Sequence, residues 1–166
     1  MFEQIDFDII EIRKLDNTCD LSRFNCSIND SLGLNQFIHD EALDFQENHL
    51  GITYLFYYRT RLVGYVTLAM GRLKGIHPDL EESERRIRWF PALLIGRLAS
   101  HNDCRDLGVG RFICDWCTGL ALSLSEEVGC KFVVADTDEY VKGFYEKCQF
   151  MSVKEENNII VFKKIH

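Results

Sequence analysis

The sequence has little positive charge, little proline and no long apolar run, and these shortages exclude several classes of protein. Its 166 residues carry a net charge of -7, which argues against a general nucleic-acid-binding protein because such proteins need a surplus of Lys and Arg. The longest apolar run, Phe90–Ile95, is far shorter than a membrane span. The first residues are acidic where a signal peptide has a basic start, so we expect a cytoplasmic protein with no membrane partner.

The sequence also lacks a recognisable metal or disulfide pattern, although it contains 7 cysteines. Their number is odd, and no second pair stands at the spacing of a zinc site. Cys114 and Cys117 form a CxxC, but they lie within a helical pattern in which Cys117 shares a face with Ile113 and Leu120. We therefore expect reduced, mostly buried thiols and no bound metal.

Against the acidic background there is one local basic cluster. It comprises Arg85, Arg86, Arg88 and Arg97. Three further arginines are candidate members of the same cluster: Arg59, Arg61 and Arg72. One interpretation is a patch that holds RNA, and the other is a set of solvated arginines beside Glu81, Glu82 and Glu84. The second is somewhat favoured, so tRNA is a possible partner that the net charge disfavours.

Length and composition are typical of one globular domain that spans residues 1–166, with 46% apolar and 27% charged residues. Alternating and β-branched runs predict strands at 7–15, 52–59, 62–70, 91–100, 131–137, 151–156 and 159–165. Helical spacing predicts helices at 34–47, 109–128 and 139–148, and His77-Pro78 interrupts a polar segment at 71–88. The order β-α-β-β-β-α-β-α-β-β predicts an α/β mixed sheet with helices on both faces.

A short glycine turn, CRDLGVGRF at residues 104–112, separates the strongest predicted strand from the longest predicted helix. The N-terminus of a helix presents unpaired N–H groups and a partial positive charge, and glycines allow an anion to approach them. Arg105 and Arg111 are placed to add charge-assisted hydrogen bonds. The motif therefore favours an anionic cofactor, but a plain strand-to-helix connection explains it about equally well. A Walker A loop is excluded because Gly110 is followed by Arg111 rather than by lysine.

At this turn the sequence resembles the GNAT family of acetyl-CoA-dependent N-acetyltransferases. The family pattern Arg/Gln-x-x-Gly-x-Gly/Ala is matched by Arg105, Gly108 and Gly110. Asp106 departs from the family, which usually has a glycine or small residue at that position. A later Phe-Tyr-x-x-x-Gly-Phe element is matched by Phe144, Tyr145 and Phe150, with Gln149 in place of the glycine. The stretches RFNCSINDSLGLNQFI, LVGYVTLA and PALLIGRLA are similar to the branch that contains toxin acetyltransferases acting on aminoacyl-tRNA.

The resemblance implies a GNAT-like, mostly antiparallel sheet with splayed central strands, and acetyl-CoA as the cosubstrate. It implies that the strand before the turn pairs with the pantetheine arm, which places Leu98, Ala99 and Ser100 beside that arm. The backbone N–H groups of Arg105, Asp106, Leu107, Gly108, Val109, Gly110 and Arg111 then surround the diphosphate. The acceptor pocket of this fold corresponds to residues 29–49 and 71–88.

Tyr145 matches the position of the family's usual general acid. A phenol with a pKa of about 10 is neutral at pH 7 and can protonate a departing thiolate of similar basicity. The alternative for Tyr145 is simple packing on the sheet beside Phe144.

No general base can be named, because the strand at 91–100 has no Asp or Glu. Asp136 is a candidate general base that would act through a water molecule. The alternative is that Asp136 only caps the next helix. An α-amine, with a pKa of about 7.7–8.0, needs little help from a base, so the missing carboxylate favours an α-amine acceptor.

Two functions remain open at the level of sequence. The first is an N-acetyltransferase that moves an acetyl group from acetyl-CoA to a primary amine by direct attack. The second is a non-catalytic GNAT-fold protein that senses CoA or binds a partner, which the missing base and the acidic Asp106 favour and the presence of Tyr145 opposes. Dimers are common in this fold, so a homodimer is possible. The sequence does not identify the acceptor.

Overall fold

The computed structural model describes residues 2–75, 81, 84 and 86–166. His77, Pro78, Glu82 and Arg85, on which parts of the sequence interpretation rest, lie outside the described residues. The chain divides into two compact units: Met1–Ala69 with Gly96–Asp115, and Met70–Ile95 with Trp116–His166.

In the part of the chain that the structure describes, seven strands form one sheet. They are β1 (Glu11–Lys14), β2 (Ile52–Tyr58), β3 (Arg61–Lys74), β4 (Trp89–Ser100), β5 (Phe132–Thr137), β6 (Met151–Glu155) and β7 (Asn158–Lys164). Their order in the sheet is β1-β2-β3-β4-β5-β7-β6. The β4–β5 pair is parallel, and the β1–β2, β2–β3, β5–β7 and β6–β7 pairs are antiparallel. The prediction of a mixed, mostly antiparallel sheet is confirmed.

The helices are α1 (Leu34–Gln36), α2 (Ala42–Glu47), α3 (Val109–Glu127) and α4 (Lys142–Lys147). A π-helical turn, Phe37–Glu41, joins α1 to α2, so the first predicted helix is real but irregular. Short 3-10 helices lie at Phe7–Ile9 and Asn102–Cys104. When α1 and α2 are counted as one interrupted helix, the observed order of strands and helices is the predicted order.

Three local predictions were wrong in detail. Phe7–Ile9 is not strand, because the Asp6 side chain accepts the Asp8 N–H over 3.0 Å and nucleates a 3-10 turn. The two predicted strands at 52–59 and 62–70 put the connecting turn at residues 60–62. The β2–β3 turn instead lies at Arg59 and Thr60, whose φ angles of 49° and 68° make the tight reversal that hairpins need. β3 continues to Lys74 rather than ending near residue 70.

In the first unit, helices cover both faces of the sheet. Leu55 and Tyr65 pack with Phe37 in one core cluster, on the face covered by α1 and α2. Phe56, next to Leu55 in β2, points to the opposite face and makes an edge contact of 6.2 Å with Phe112 of α3. The predicted arrangement of helices on both faces is present here.

The second unit has a core of its own, which is built largely from aromatic rings. Phe132 of β5 makes edge contacts with Phe90 of β4 at 5.4 Å and with Phe162 of β7 at 6.0 Å. Beside this core, the carboxylate of Glu84 lies 2.9 Å from Lys131 Nζ and 2.8 Å from Lys164 Nζ. The flanking lysines hold the pKa of Glu84 at about 2, well below its usual range.

Candidate functional site

β4 separates from β5 before it reaches the glycine turn. The hydrogen-bonded register between these strands contains Ala92, Leu93 and Leu94, whereas β4 continues to Ser100. The predicted splay of the central strands is therefore present in the pairing pattern. Among Leu98, Ala99 and Ser100, the expected neighbours of a pantetheine arm, only Ala99 is fully buried, in the core of the first unit. Their role in binding stays a prediction.

His101 ends β4 and begins the turn. Its backbone N–H donates to Val63 O over 2.8 Å, and its ring Nδ1 accepts the Asp103 N–H over 2.9 Å. Since Nδ1 is an acceptor, the ring proton is on Nε2, which donates to Arg23 O over 3.1 Å. Sequence reasoning missed this residue, because its bond to Arg23 joins positions far apart in the chain.

The glycine turn uses two left-handed backbone positions. Gly108 has a φ of 88°, a conformation that glycine adopts without steric cost. Asp106 has a φ of 62°, which Asp tolerates better than most other side chains do. After these two bends α3 begins at Val109, and its 19 residues provide a full helix behind the turn.

The turn and the first residues of α3 present a group of unused backbone donors. Leu107 N–H donates to Cys104 O over 3.3 Å. Among the described residues, none accepts a hydrogen bond from the other backbone amides of this stretch, which belong to Arg105, Asp106, Gly108, Val109, Gly110 and Arg111. Unused amides at the N-terminus of a long helix favour a bound anion.

Phe7, in the 3-10 helix Phe7–Ile9, packs against the glycine turn. A Cβ on Gly108 would lie 3.3 Å from Phe7 Cζ, so the backbone approaches this ring closely. Phe7 also stacks on Phe112 of α3, with centroids 5.0 Å apart and planes at 16°. The sequence carries no signal for this contact, because it pairs the N-terminal segment with a residue far along the chain.

The charged side chains of the turn have different surroundings. Arg105 Nη1 donates to Ile28 O over 2.7 Å, so this guanidinium holds another part of the protein chain. Arg111 and Asp106 are exposed, and Arg111 has no ion-pair partner among the residues that the structure describes. The predicted phosphate contacts of Arg105 and Arg111 therefore stay predictions, with Arg111 the less constrained of the two.

Tyr145 belongs to α4 in the second unit and is 5% exposed. Its ring makes edge contacts with Phe144 at 5.0 Å and Phe150 at 5.3 Å. The packing role considered from the sequence is thus present, and the general-acid role stays a prediction. Asp138 begins this helix region by accepting the Tyr140 and Val141 N–H groups, each over 3.0 Å.

Asp136 follows Ala135 near the end of β5. Asp136 is exposed, yet partial desolvation by its neighbours, and then repulsion from Glu155, raises its pKa above the usual value. A raised pKa makes a carboxylate a better proton acceptor near neutral pH, which supports its candidacy as a base that acts through water.

Exposed arginines lie beside an aromatic ring in the second unit. Arg72 stacks over the Trp89 ring with its guanidinium carbon 3.7 Å from the centroid. Glu81 and Glu84 pair with Lys164 and Lys131 rather than with arginines. In the described part of the chain no carboxylate forms an ion pair with Arg72, Arg86 or Arg88, and all three side chains are exposed. Exposure fits both solvated arginines and a patch that holds RNA, so both interpretations stay predictions. Arg97 lies in the first unit, over the Phe37 ring at 4.6 Å.

Neither a membrane-spanning helix nor a cluster of metal-ligating side chains occurs among the described residues. No helix among them is long and apolar enough to cross a membrane. The same residues contain no group of three or more His, Cys, Asp or Glu side chains that could hold a metal ion.

No protein-family model matches the sequence, and no curated protein matches it. Solved structures match its fold: AtaT complexed with acetyl-methionyl-tRNAfMet gives a TM-score of 0.81 at 22% identity, over 93% of this chain and 94% of that chain. A mutant of KacT gives a TM-score of 0.80 at 21% identity, over 94% of this chain and 95% of that chain. AtaTR bound with AcCoA gives 0.78 at 23% identity, over 95% of each chain. The chain has the GNAT-like fold of AtaT and KacT.

Proposed function

We propose that this protein is an acetyl-CoA-dependent N-acetyltransferase that moves an acetyl group to a primary amine. The observation that carries the proposal is the group of unused amides at the start of α3, next to the end of β4 that has no partner in β5. Such amides suit a diphosphate, and an unpaired strand edge suits an amide-containing arm such as pantetheine. The fold shared with AtaT, which has been solved with AcCoA in the AtaTR structure, supports the same ligand.

In this proposal Tyr145 is the general acid. Its phenol protonates the coenzyme thiolate as the acceptor amine attacks the thioester carbon and the C–S bond breaks. The acceptor nitrogen loses a proton to solvent or, through water, to Asp136. No metal takes part.

We propose an α-amine as the acceptor, because no carboxylate lies on β4 to deprotonate a lysine side chain. An α-amine is substantially neutral at pH 7, whereas a lysine amine, with a pKa of about 10.4, is not. Aminoacyl-tRNA is the first α-amine to test, since AtaT has been solved with acetyl-methionyl-tRNAfMet. The exposed Arg72, Arg86 and Arg88 favour such a partner, and the net charge of -7 disfavours it.

The test combines binding with turnover. Calorimetry measures acetyl-CoA affinity, and mass spectrometry follows acetyl gain on aminoacyl-tRNA, peptides with free N-termini and lysine peptides. Tyr145→Phe should keep acetyl-CoA binding and lower kcat by about 10²- to 10⁴-fold, the usual contribution of a general acid. Tyr140→Phe, the same change at a side chain that is 88% exposed, should leave kcat unchanged.

The alternative function, a CoA sensor without turnover, predicts different results in the same assays. It predicts acetyl-CoA binding with no acetyl gain on any acceptor and no effect of Tyr145→Phe. The acidic Asp106 in the turn and the absence of a carboxylate on β4 favour it, and the presence of Tyr145 opposes it. Transfer to lysine peptides in preference to α-amines would leave the enzyme proposal standing and remove the α-amine proposal.

A further inference from the structure

Asn102 begins the 3-10 helix that leads into the glycine turn, and it forms two hydrogen bonds with a distant segment, residues 23–28. Its backbone N–H donates to Asn25 O over 2.8 Å. Its side-chain Oδ1 accepts the Ile28 N–H over 3.1 Å. One residue thus holds the segment at two points, three positions apart.

Two further bonds reinforce this connection. Arg105 Nη1 donates to Ile28 O over 2.7 Å, a charge-assisted bond of the stronger kind. His101 Nε2 donates to Arg23 O over 3.1 Å. Ile28 is therefore bound through both its N–H and its carbonyl oxygen to residues of the turn. We call this set of four hydrogen bonds the turn clamp.

The far end of the held segment is bonded to the start of the first helix. Cys26 N–H donates to Asn35 Oδ1 over 3.0 Å. The Asp30 carboxylate accepts the Leu34 and Asn35 N–H groups over 2.7 and 2.9 Å. These hydrogen bonds, together with the covalent chain between Cys26 and Asp30, connect Arg105 to α1.

We propose that Arg105 and Asn102 are positioning residues that couple acetyl-CoA binding at the glycine turn to the order of residues 23–36. The inference rests on the proposed function, in which the turn binds acetyl-CoA and the region of α1 borders the acceptor. The unused amides of the turn gain acceptors when a diphosphate binds, so the turn loses conformational freedom. Because the turn clamp bonds residues 23–28 to it, that segment loses freedom at the same time.

This coupling has a direction and a size. An acceptor that contacts the segment meets one already ordered, so it binds more tightly when acetyl-CoA is present. Linkage requires the same factor in reverse, and couplings of this kind are about 5- to 150-fold in affinity. In this proposal the Arg105 guanidinium holds the segment that borders the acceptor, and the Arg105 backbone N–H donates to the diphosphate.

Hydrogen exchange measured by mass spectrometry tests the coupling without a known acceptor. In the wild-type chain, acetyl-CoA should slow amide exchange at 105–111 and, by about 5-fold or more, at 23–36. In Asn102→Ala, slowing at 105–111 should persist while slowing at 23–36 is lost. In Arg105→Met, measured at saturating acetyl-CoA, slowing at 23–36 should likewise be lost. Arg13→Met removes guanidinium bonds to Asp16 and Thr18, outside the turn clamp, and should behave as wild type.

Arg105→Lys provides a second variant in case Arg105→Met does not fold, because lysine keeps a donor and the charge. It should retain part of the slowing at 23–36. Slowing confined to 105–111 in the wild-type chain would overturn the coupling alone, as would slowing at 23–36 that survives in both Asn102→Ala and Arg105→Met. No slowing at 105–111 would overturn the proposed function together with the coupling.

Discussion

Gly108→Ala tests whether the glycine turn is the coenzyme site. Gly108 has a φ of 88°, and an added Cβ would meet Phe7 Cζ at 3.3 Å. Alanine at positive φ costs about 1–2 kcal/mol, so the free energy of unfolding should fall by that amount. For a chain of this length the fall corresponds to a Tm lower by about 2–8 °C.

The same change should weaken acetyl-CoA binding. Relief of the strain re-orients the amides that follow Gly108, and a hydrogen bond to a charged group contributes about 1.5–3 kcal/mol. Misalignment of one such amide therefore raises the Kd about 10- to 100-fold, since each 1.4 kcal/mol is a factor of ten.

Substitutions at two other glycines are controls that separate the effect of backbone strain on stability from the effect on acetyl-CoA binding. Gly33 has a φ of 71° with nothing within 4 Å of an added Cβ, so Gly33→Ala carries the backbone cost alone. Gly119 lies inside α3, also with nothing within 4 Å, so Gly119→Ala should stabilise the chain by about 0.5–1 kcal/mol.

Urea denaturation measures stability for all three variants, and calorimetry measures acetyl-CoA binding. If Gly108→Ala loses stability as Gly33→Ala does but binds acetyl-CoA as tightly as the wild-type chain, the amides of the turn do not form the coenzyme site.

Two further predictions concern the second unit. Glu84 has a folded-state pKa of about 2 against an ordinary 4.5, so its stabilisation is complete above about pH 4.5 and is lost as the pH falls towards 2. Glu84→Gln should therefore flatten the loss of stability between these pH values, measured by denaturation at each pH, and an unchanged profile would contradict the ion-pair assignment. Gln149 has a φ of 68° directly after α4, so Gln149→Gly should raise the free energy of unfolding by about 1 kcal/mol, and a lower Tm would contradict this.

The order of strands and helices could be predicted because each element carries its own periodic signal. The 19-residue helix α3 repeats apolar residues at helical spacing, and β2 and β7 are rich in β-branched and aromatic residues. Prediction failed where a local hydrogen bond replaced the periodic pattern, as at Phe7–Ile9, where Asp6 nucleates a 3-10 turn. It also failed at the π-helical turn Phe37–Glu41, whose apolar spacing resembles that of an ordinary helix.

The candidate site was predictable only in its local parts. Gly108 and the start of α3 could be placed because glycine and helical spacing are neighbours in sequence. The partner of the Arg105 guanidinium could not, because Ile28 is 77 positions away and a backbone carbonyl has no sequence signature. The contact of Phe7 with the turn was hidden for the same reason.

The two departures from the family pattern, Asp106 and Gln149, have the same structural explanation. Both residues stand where the pattern has a glycine or small residue, and both have positive φ angles, 62° and 68°. At Gln149 the turn is further stabilised because Gln149 N–H donates to Glu146 O and Phe150 N–H donates to Tyr145 O, each over 3.0 Å, the pairing of a Schellman motif. In this chain both positions therefore adopt the left-handed conformation without a glycine. Since the left-handed bend at 106 is kept, Asp106 does not count against a diphosphate at this turn on conformational grounds. The arguments that remain for a sensor are the negative charge of Asp106 and the absence of a carboxylate on β4.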